Sequence, residues 1–344
     1  MIYINGRFLA KKMVGVTRYA AEVLKCLDKE ENSDKIEILV AKNIPDAHFP
    51  KHLKVRRIGK LKGNLWEQIS LPNYLRKQKD ARLLNLCNAS PLHYKGFTVV
   101  HDISFVHLHH TYSWLFTKWY HYMIKRKVNN DYIVFTDSNF TKDDIVSYYG
   151  VSQDKVIVAY CGTEHILRVE QDDSVLDKYH LVNKKYSLFV GSDFEHKNLS
   201  FVKQKAENNP DEFFVFVTQR PPEELPKENV LYIEESVSLP ALKSLYAHAN
   251  NLYMVSSFEG FGLPPIEAIL SGCKHVTLSA IPVFHEIYGD QVDYVPVSKT
   301  IVMGKLKDIT PEYKEQLKER FQWKKTAELI YNTVMNYDLG GDKK

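Results

Sequence analysis

Residues 252–270 read LYMVSSFEGFGLPPIEAIL, an apolar run followed by a glycine loop and a second apolar segment. The first run predicts a buried strand over Leu252–Ser256, and the last part predicts a short helix over Pro264–Leu270. Gly260 and Gly262 allow a tight turn and the close approach of a ligand to the backbone. The two prolines suit a first helical turn, where a missing N–H costs nothing. The stretch therefore predicts one parallel α/β unit whose loop and helix start form an anion site.

The same alternation of short apolar runs and helical patterns extends along nearly the whole chain, in two successive halves. Continuous apolar runs are typical of parallel strands that are covered on both faces. We therefore expect an α/β protein with two Rossmann-like, doubly wound domains facing each other across a cleft. A long terminal helix, broken near Gln322, is expected to return to the first domain. The predicted segments are a first domain over 1–165, a linker over 166–185, a second domain over 186–322 and the returning helix over 323–338.

Composition excludes several classes of protein. A chain of 344 residues suits two domains, and 44% hydrophobic with 26% charged residues is an ordinary globular balance. The four cysteines have no C-x-x-C spacing, which favours reduced thiols over a zinc site. Neither a signal peptide nor a membrane-spanning helix is predicted, because no long apolar run is present. We expect a cytoplasmic protein, at most peripheral at the inner face of a membrane.

The net charge of +4 is divided unevenly, with a basic first half and an acidic second half. One interpretation is a chance scatter of solvated charges. The other is that the first half meets an anionic partner, such as a membrane surface or a phosphorylated lipid. Nucleic acid is not expected as a partner, because no nucleic-acid motif is present. The predicted membrane contact is the basic cluster Lys51, Lys54, Arg56, Arg57, Lys60 and Lys62.

Glu259 and Glu267, with Gly-Phe-Gly-Leu-Pro between them, resemble the signature of glycosyltransferase family four. Members of this family are retaining enzymes with the two-lobed GT-B fold. The resemblance covers nearly the full chain and is closest to members that build O-antigen, capsule or cell-wall glycans. Other segments follow in the family's order: Asn5-Gly6-Arg7-Phe8, Gly15-Val16-Thr17-Arg18-Tyr19, Leu65-Trp66-Glu67-Gln68, Val100-His101-Asp102, Thr136-Asp137-Ser138-Asn139-Phe140-Thr141 and His196-Lys197-Asn198.

The resemblance implies how a nucleotide-sugar donor is held. Glu267 would accept the ribose hydroxyls, and Glu259 would contact the donor sugar. The loop Gly260-Phe261-Gly262-Leu263 would meet the sugar and the phosphates through the amides of Gly262 and Leu263. These roles agree with the chemistry, since a carboxylate accepts two hydroxyls well and amides at a helix start suit a diphosphate. The alternative for Glu267 is a helix-capping carboxylate, and for the glycines a plain turn.

The loop after the first strand of the second half would bind the donor pyrophosphate. It begins at Gly191, and by resemblance Lys197 would supply a catalytic cation to the leaving group, the alternative being a surface lysine. Many family members have an arginine where this chain has Ser192 or His196, so Arg18 or Arg220 is expected to compensate. Gly15 would lie near the donor phosphate or the acceptor hydroxyl.

The first half would supply a catalytic imidazole and the acceptor side. By resemblance, His101 faces the donor sugar across the cleft, the alternative being a histidine satisfied by backbone groups at a strand end. The candidates on the acceptor side are Asn88, Asp102 and Ser138. The aromatic cluster Trp114, Phe116, Trp119, Tyr120 and Tyr122 is interpreted as helix core, with an acceptor-lipid face as the alternative.

No metal and no cofactor beyond the nucleotide sugar are expected. Asp-x-Asp occurs nowhere, and the acid pair Asp193 and Glu195 lies where the family has a metal-free phosphate loop. His107, His109 and His110 are interpreted as a polar loop rather than a zinc site.

The sequence thus predicts a retaining, metal-independent glycosyltransferase. It would move a sugar from a nucleotide-diphosphate sugar to a glycan or polyprenyl-linked glycan acceptor. The family's usual mechanism is front-face attack, in which a donor phosphate oxygen takes the acceptor proton. Two alternatives remain open: a non-hydrolysing sugar-nucleotide epimerase, and a catalytically silent sugar-nucleotide-binding partner of another transferase.

Overall fold

The computed structural model describes residues 1–13, 15–108, 113–218, 227–297 and 306–339. These residues form two compact units, and each carries its own parallel sheet. Unit 1 comprises Met1–Gly162 together with the chain from Gln322 onward, and unit 2 comprises Thr163–Phe321. Among the described residues, no helix is long and apolar enough to cross a membrane.

The sheet of unit 1 has the order β3-β2-β1-β4-β5-β6-β7 in its described part, and all its pairings are parallel. The direction in which successive strands are added to the sheet reverses between β1 and β4, so the carboxyl ends of these two strands flank the switch point. The strands are β1 (Ile2–Asn5), β2 (Ile36–Val40), β3 (Lys54–Arg57), β4 (Arg82–Asn85), β5 (Phe97–Val99), β6 (Ile133–Thr136) and β7 (Val156–Val158).

The sheet of unit 2 has the order β10-β9-β8-β11-β12-β13 in its described part, and it is also parallel. Its switch point lies between β8 and β11. The strands are β8 (Tyr186–Val190), β9 (Phe213–Val217), β10 (Val230–Ile233), β11 (Asn251–Met254), β12 (His275–Ser279) and β13 (Asp293–Val295).

Helices connect the strands of both sheets. In unit 1, a helical stretch that begins at Gly63 contains one π-helical turn, Trp66–Ser70. The helices are α1 (Gly15–Leu27), α2 (Gly63–Leu65), α3 (Leu71–Leu75), α4 (Ser104–His107), α5 (Trp114–Asn130), α6 (Asn139–Tyr149), α7 (Glu164–Leu167), α8 (Ser174–Lys178), α9 (Leu199–Asn208), α10 (Leu239–His248), α11 (Leu263–Ser271), α12 (Pro282–Tyr288), α13 (Pro311–Arg320) and α14 (Trp323–Asn336).

The cores lie where the continuous apolar runs predict them. Every residue of β2 is buried, as a strand covered on both faces requires. In unit 2, a cluster that includes Phe189, Phe214 and Tyr253 packs against α9. The prediction of two doubly wound α/β domains is confirmed.

The terminal helix returns to unit 1, as predicted. The break near Gln322 separates α13 from α14, and Trp323 then packs edge-on against Tyr19 of α1, with ring centroids 5.3 Å apart. The Arg82 guanidinium at the start of β4 donates to the carbonyl oxygens of Val334 and Tyr337 at 2.9 and 2.7 Å. These contacts pack the end of the chain against the first sheet and α1.

The stretch 166–185 differs from the predicted linker. It belongs to unit 2 and contains α8 and the end of α7. The Asp172 amide donates to the Pro240 carbonyl at 3.1 Å, and the Lys243 ammonium donates to the Val169 carbonyl at 2.8 Å. The polar composition of this stretch predicts a connection, but the stretch packs on α10 through its own backbone groups, which composition does not reveal.

Candidate functional site

The glycine loop of unit 2 has the strand–loop–helix geometry that its sequence predicts. Gly262 caps α11 with a φ of +88°, and an added Cβ would lie 2.6 Å from the Phe284 ring. The Tyr288 hydroxyl donates to the Gly262 carbonyl at 2.5 Å, which fixes the turn. Because Pro264 and Pro265 have no N–H, Leu263 supplies the amide donor at the first position of the helix.

Glu267 lies on the same helix and is 4% exposed. Its Oε1 accepts a hydrogen bond from His165 Nε2 at 2.8 Å, and its Oε2 accepts one from the Tyr246 hydroxyl at 3.2 Å. The first turn of α11 has no acidic residue, and no side chain caps the helix. The helix-cap interpretation of Glu267 is therefore wrong. The carboxylate is held by two donors from other segments of unit 2.

Glu259 and Lys197 form an ion pair with 2.6 Å between Lys197 Nζ and Glu259 Oε1. Their side chains are 11% and 23% exposed, so the pair is only partly shielded from solvent. The loop after β8 carries the lysine and the loop after β11 carries the glutamate. The Ser257 amide also joins these loops by donating to the His196 carbonyl at 2.8 Å. Two residues predicted from separate motifs thus meet at the switch point of the second sheet.

The rest of the predicted phosphate loop is built around its backbone. The Gly191 amide donates to the Val217 carbonyl at 3.1 Å directly after β8. Asn198 has a φ of +54°, and its side chain donates to the Val255 carbonyl at 3.3 Å. His196 is 9% exposed and stacks on Phe194 with ring centroids 5.8 Å apart. The imidazole that stands in an arginine position is therefore largely buried.

His101 of unit 1 is 4% exposed and lies two residues beyond β5. Its Nδ1 is 2.8 Å from Asp137 Oδ2, and its Nε2 is 3.4 Å from the Leu86 carbonyl oxygen. Burial alone would lower the pKa of His101, but the charge and hydrogen bond of Asp137 raise it to about 10. An imidazolium donates from both ring nitrogens, and it can therefore donate to Asp137 Oδ2 and to the Leu86 carbonyl oxygen. Burial also raises the pKa of Asp137.

The three residues predicted on the acceptor side accept hydrogen bonds from backbone amides. Asn88 Oδ1 accepts from the His101 amide at 2.9 Å, and Asp102 Oδ1 accepts from the Ser104 amide at 2.8 Å. Ser138 is fully buried and caps α6 by accepting from the Thr141 amide at 3.1 Å. These contacts shape turns and a helix start beside His101.

Two glycine-loop candidates lie on the first turn of α1. Gly15 begins this helix, and an added Cβ would have no neighbour within 4 Å in the part of the chain that the structure describes, so no close contact there requires the glycine. Arg18 is partly exposed on the same turn. Arg220, His109 and His110 lie outside the described residues, and so does the side chain of Phe116.

The aromatic cluster on α5 is mostly solvent-exposed. The exposed fractions of Trp114, Trp119 and Tyr122 are 65%, 48% and 49%, whereas Tyr120 packs on Phe105. The core interpretation is wrong for the three exposed residues, because the opposite face of the helix carries Met123, Ile124 and Val128 into the core.

Sequence reasoning missed three partners in these sites: His165, Tyr246 and Asp137. Asp137 was quoted in a motif without a role, although its place directly after β6 was a usable signal, since polar residues at the carboxyl ends of parallel strands share one edge. His165 and Tyr246 lie on α7 and α10, and no local pattern distinguishes them.

Comparison with known proteins gives a consistent result. Residues 13–165 match the profile of Glycosyltransferase Family 4. The chain is 32% identical over 207 residues to the O-antigen chain mannosyltransferase RfbU of Salmonella typhimurium, an alignment that covers 57% of this chain and 55% of that protein. It is 25% identical over 179 residues to the O-antigen chain mannosyltransferase B of Escherichia coli, covering 46% of each. The chain spans about half the length of the curated relatives it matches.

Solved structures share the fold over almost the full chain. Sucrose-phosphate synthase from Thermosynechococcus elongatus has a TM-score of 0.72 at 14% identity, covering 97% of this chain and 98% of that one. The Anabaena protein Alr3699/HepE in complex with UDP and glucose has a TM-score of 0.68 at 13% identity, covering 98% and 99%. At these identities the likeness shows the fold, which is GT-B.

Proposed function

Because the chain is related to glycosyltransferase family four, we propose that it is a retaining glycosyltransferase of surface-polysaccharide synthesis. It moves a sugar from a nucleotide-diphosphate sugar to a glycan or lipid-linked glycan acceptor. The observation that carries the proposal is the meeting of Lys197, Glu259 and the glycine loop at the switch point of the second sheet. In open α/β sheets, ligands bind at this edge. The HepE structure with UDP and glucose supports the donor class.

In this proposal Glu267 holds the ribose and Glu259 contacts the transferred sugar. His165 and Tyr246 donate to different oxygens of Glu267, which fixes the plane of the carboxylate before the ribose arrives. Such preorganisation reduces the ordering cost of binding. Glu259 keeps Lys197 oriented, since the two side chains are in direct contact.

The leaving diphosphate is stabilised by positive groups of unit 2. Lys197 contributes a full charge, and the amides around Gly262 and Leu263 contribute the positive end of α11. An acceptor hydroxyl attacks on the face that the diphosphate leaves, and a donor phosphate oxygen takes its proton. No side-chain base is then needed, and catalysis consists of positioning and charge stabilisation. We propose that no metal takes part.

The test is incubation of the protein with labelled nucleotide sugars in the presence of EDTA. A thermal-shift screen with GDP, UDP and dTDP selects the nucleotide first, since a ligand at about 100 times its dissociation constant stabilises by about 2.7 kcal/mol. We expect slow hydrolysis or transfer with an unchanged anomeric configuration, read by NMR. Epimerisation would favour the first alternative function, and binding without turnover the second. Inversion of the anomeric centre, or an absolute need for Mg²⁺ or Mn²⁺, would contradict the mechanism.

We also propose that unit 1 docks on an anionic membrane from the cytoplasmic side, through the exposed face of α5. Trp114, Leu115, Trp119 and Tyr122 are exposed on this face. Lys118 and Lys125 alternate with them, and α5 contains no acidic residue. Tryptophan and tyrosine favour the membrane interface, and lysines beside them attract anionic lipids.

The basic cluster predicted as the membrane contact is less suitable than α5. Lys54 pairs with Asp34 at 2.8 Å, Arg56 with Glu37 at 2.6 Å, and Arg57 with Asp46. Three of its six positive charges are therefore balanced within unit 1. The exposed face of α5 combines apolar area with cations and makes the stronger candidate.

Vesicle sedimentation tests the membrane contact. We expect binding to phosphatidylserine-containing vesicles, weakening with salt because exposed charges are screened within about 10 Å at 0.1 M. The double substitution Trp114→Ala and Trp119→Ala should abolish binding, whereas Val182→Ala, which removes an exposed apolar residue of unit 2, should not. Equal binding to neutral and anionic vesicles would contradict the role of charge.

A further inference from the structure

A cleft of about 690 Å³ runs along α1 of unit 1. Its lining comes from one face of α1, from residues 8–13 before the helix and from residues 49–52. The volume falls within the roughly 300–1,000 Å³ of pockets that bind small molecules. We call this cleft the α1 groove, and the proposed transferase mechanism makes no use of it.

The floor of the α1 groove is one face of the helix, with a small residue near its centre. Thr17, Ala21, Leu24 and Asp28 follow each other at intervals of four, three and four residues, which places them on the same face. From Thr17 to Asp28 this face is about 16 Å long at the helical rise of 1.5 Å per residue. Because the side chain of Ala21 is a single methyl group, the floor suits a long and thin ligand.

Hydrogen bonds fasten both walls of the groove to α1. The Thr17 hydroxyl donates to the Lys12 carbonyl at 2.7 Å, which holds the segment before the helix. The Asp28 carboxylate accepts from the Lys51 and His52 amides at 2.7 and 2.8 Å, which holds the other segment. The groove is therefore formed by contacts within unit 1, and such preorganisation lowers the ordering cost of binding.

The groove combines apolar walls with positive charges at both ends. The apolar part of the walls is made by Leu9, Met13, Phe49 and Pro50. The charges belong to four exposed lysines, which are Lys11 and Lys12 near the start of α1 and Lys25 and Lys51 near its end. In the described part of the chain, no carboxylate pairs with any of these lysines. Asp28 is the one carboxylate of the described lining, and it accepts from backbone amides, so the lining carries a net positive charge.

The α1 groove and the exposed face of α5 lie on opposite faces of the first sheet. α1 connects β1 to β2 and α5 lies between β5 and β6, and these two connections run in opposite directions along the strand order. Right-handed crossovers then place the two helices on opposite faces. A bilayer that contacts the exposed face of α5 does not reach the groove, so a ligand enters the groove as a single molecule from solution.

We propose that the α1 groove binds one single-chain anionic lipid, with the chain along α1 and the anionic head beside a pair of lysines. Charge complementarity selects an anion, and the apolar floor and walls select a chain over a free phosphate. A partner helix is disfavoured, because stable protein interfaces bury about 1,200–2,000 Å² whereas the groove has the volume of a small-molecule site. The proposal does not depend on the transferase reaction, since binding is measured without turnover.

Calorimetry of the whole protein with dodecyl phosphate, kept below its micelle concentration, tests the proposal. We expect saturable binding of one molecule per chain. Inorganic phosphate, which has the head alone, should not bind. Dodecyltrimethylammonium, which has the same chain with the opposite charge, should bind about tenfold more weakly or worse, because the lysines repel it. Equal binding of the two amphiphiles, or uptake of many molecules without saturation, would overturn the proposal.

A substitution on the floor distinguishes the groove from the membrane contact on α5. Ala21→Phe fills the floor and should weaken dodecyl phosphate about tenfold or more, whereas Ser147→Phe, at an exposed position of α6, should not. Trp114→Ala with Trp119→Ala should keep dodecyl phosphate binding and lose vesicle binding, and Ala21→Phe should show the opposite pattern. If the tryptophan substitutions remove dodecyl phosphate binding, the amphiphile binds α5 and the assignment to the groove is wrong.

Charge reversal locates the anionic head, and it keeps the proposal testable if Ala21→Phe does not fold. The two groove variants are Lys11→Glu with Lys12→Glu and Lys25→Glu with Lys51→Glu, and the control is Lys77→Glu with Lys79→Glu, at exposed lysines of unit 1 outside the groove. At least one groove variant should weaken dodecyl phosphate about tenfold or more, and the control, which has the same change in net charge, should not. An unchanged affinity in both groove variants, or an equal loss in all three, would overturn the proposal.

Discussion

Within the described residues, each unit contains one buried histidine–carboxylate pair, and both pairs have a nitrogen–oxygen distance of 2.8 Å. In unit 1, His101 follows a strand and Asp137 comes from 36 residues further along the chain. In unit 2, Glu267 lies on the helix after the glycine loop and His165 comes from 102 residues earlier. Sequence reasoning identified one member of each pair and missed the other. Glu267 was identified from the glycine loop beside it, whereas His165 lies on α7 and has no local signal; Asp137 was missed although it directly follows β6.

The two pairs also differ in what completes them. His101 has the Leu86 carbonyl at its second nitrogen, so both ring nitrogens face oxygens and a charged imidazole is favoured. Glu267 has the Tyr246 hydroxyl at its second oxygen, so in unit 2 it is the carboxylate that faces two donors. We infer that the first pair serves to hold a buried cation and the second to orient a carboxylate for a ligand.

The largest expected effect is on the stability of unit 1. His101→Gln leaves Asp137 without its cationic partner and should lower the free energy of unfolding by about 3–5 kcal/mol. All four tryptophans, Trp66, Trp114, Trp119 and Trp323, belong to unit 1, so tryptophan fluorescence in urea follows this unit alone. The control is His107→Gln. His107 makes a 2.8 Å contact with Asp144, but its side chain is 41% exposed, so about 1 kcal/mol or less is expected.

The pH dependence sharpens this prediction. The folded pKa of His101, about 10, lies above its unfolded value of about 6.5, so the stabilisation is fully present below pH 6.5. It is lost as the pH rises toward 10. The stability difference between wild type and His101→Gln should therefore be largest near pH 6 and shrink by pH 10. A difference that is constant with pH would show that the imidazole is neutral in the folded protein.

The second prediction compares the two glutamates of unit 2. Glu267→Ala should weaken binding of the free nucleoside diphosphate by about 10–150-fold, the cost of a lost hydrogen bond to a charged group. Glu259→Ala should leave that affinity nearly unchanged and lower kcat, because the transferred sugar differs between ground and transition state. Calorimetry with the nucleotide and kinetics with the sugar nucleotide measure the two effects. The reverse pattern would exchange the two roles.

How much of this could be read from the sequence depends on whether the residues are contiguous. The stretch 252–270 contains its own strand, loop and helix start, so its geometry was predicted correctly. The resemblance to glycosyltransferase family four is supported by a different part of the chain, since the matching profile covers residues 13–165. The same local signals recur along the chain, and they predicted the two α/β domains. Hydrophobic periodicity is a local property, so it can be detected in a single sequence.

The hydrogen bonds that join Asn5 to Glu67 and Asn85 in unit 1 were not predicted from the sequence. Asn5 and Asn85 meet because β1 pairs with β4, and Glu67 reaches Asn5 from the π-helical turn Trp66–Ser70. Asn88 and Ser138, which were predicted instead, are polar residues near strand ends, but their side chains accept from the backbone amides of His101 and Thr141. Strand-end position was the right signal, and the direction of each side chain was the missing information.

The smallest expected effect tests whether the unit 2 pair truly orients Glu267. Tyr246→Phe removes one donor to Glu267 Oε2 and keeps the buried ring. The affinity for the nucleoside diphosphate should fall about 3–10-fold, since one hydrogen bond is worth about 0.5–1.5 kcal/mol. Tyr186→Phe is the matched control, because this buried hydroxyl donates to the Leu245 carbonyl at 2.7 Å and does not touch the carboxylate. It should lower the stability of unit 2 and leave nucleotide affinity unchanged. If both variants weaken the nucleotide equally, the loss comes from general loosening of unit 2. The orientation of Glu267 would then not depend on Tyr246, and His165 alone would have to set it.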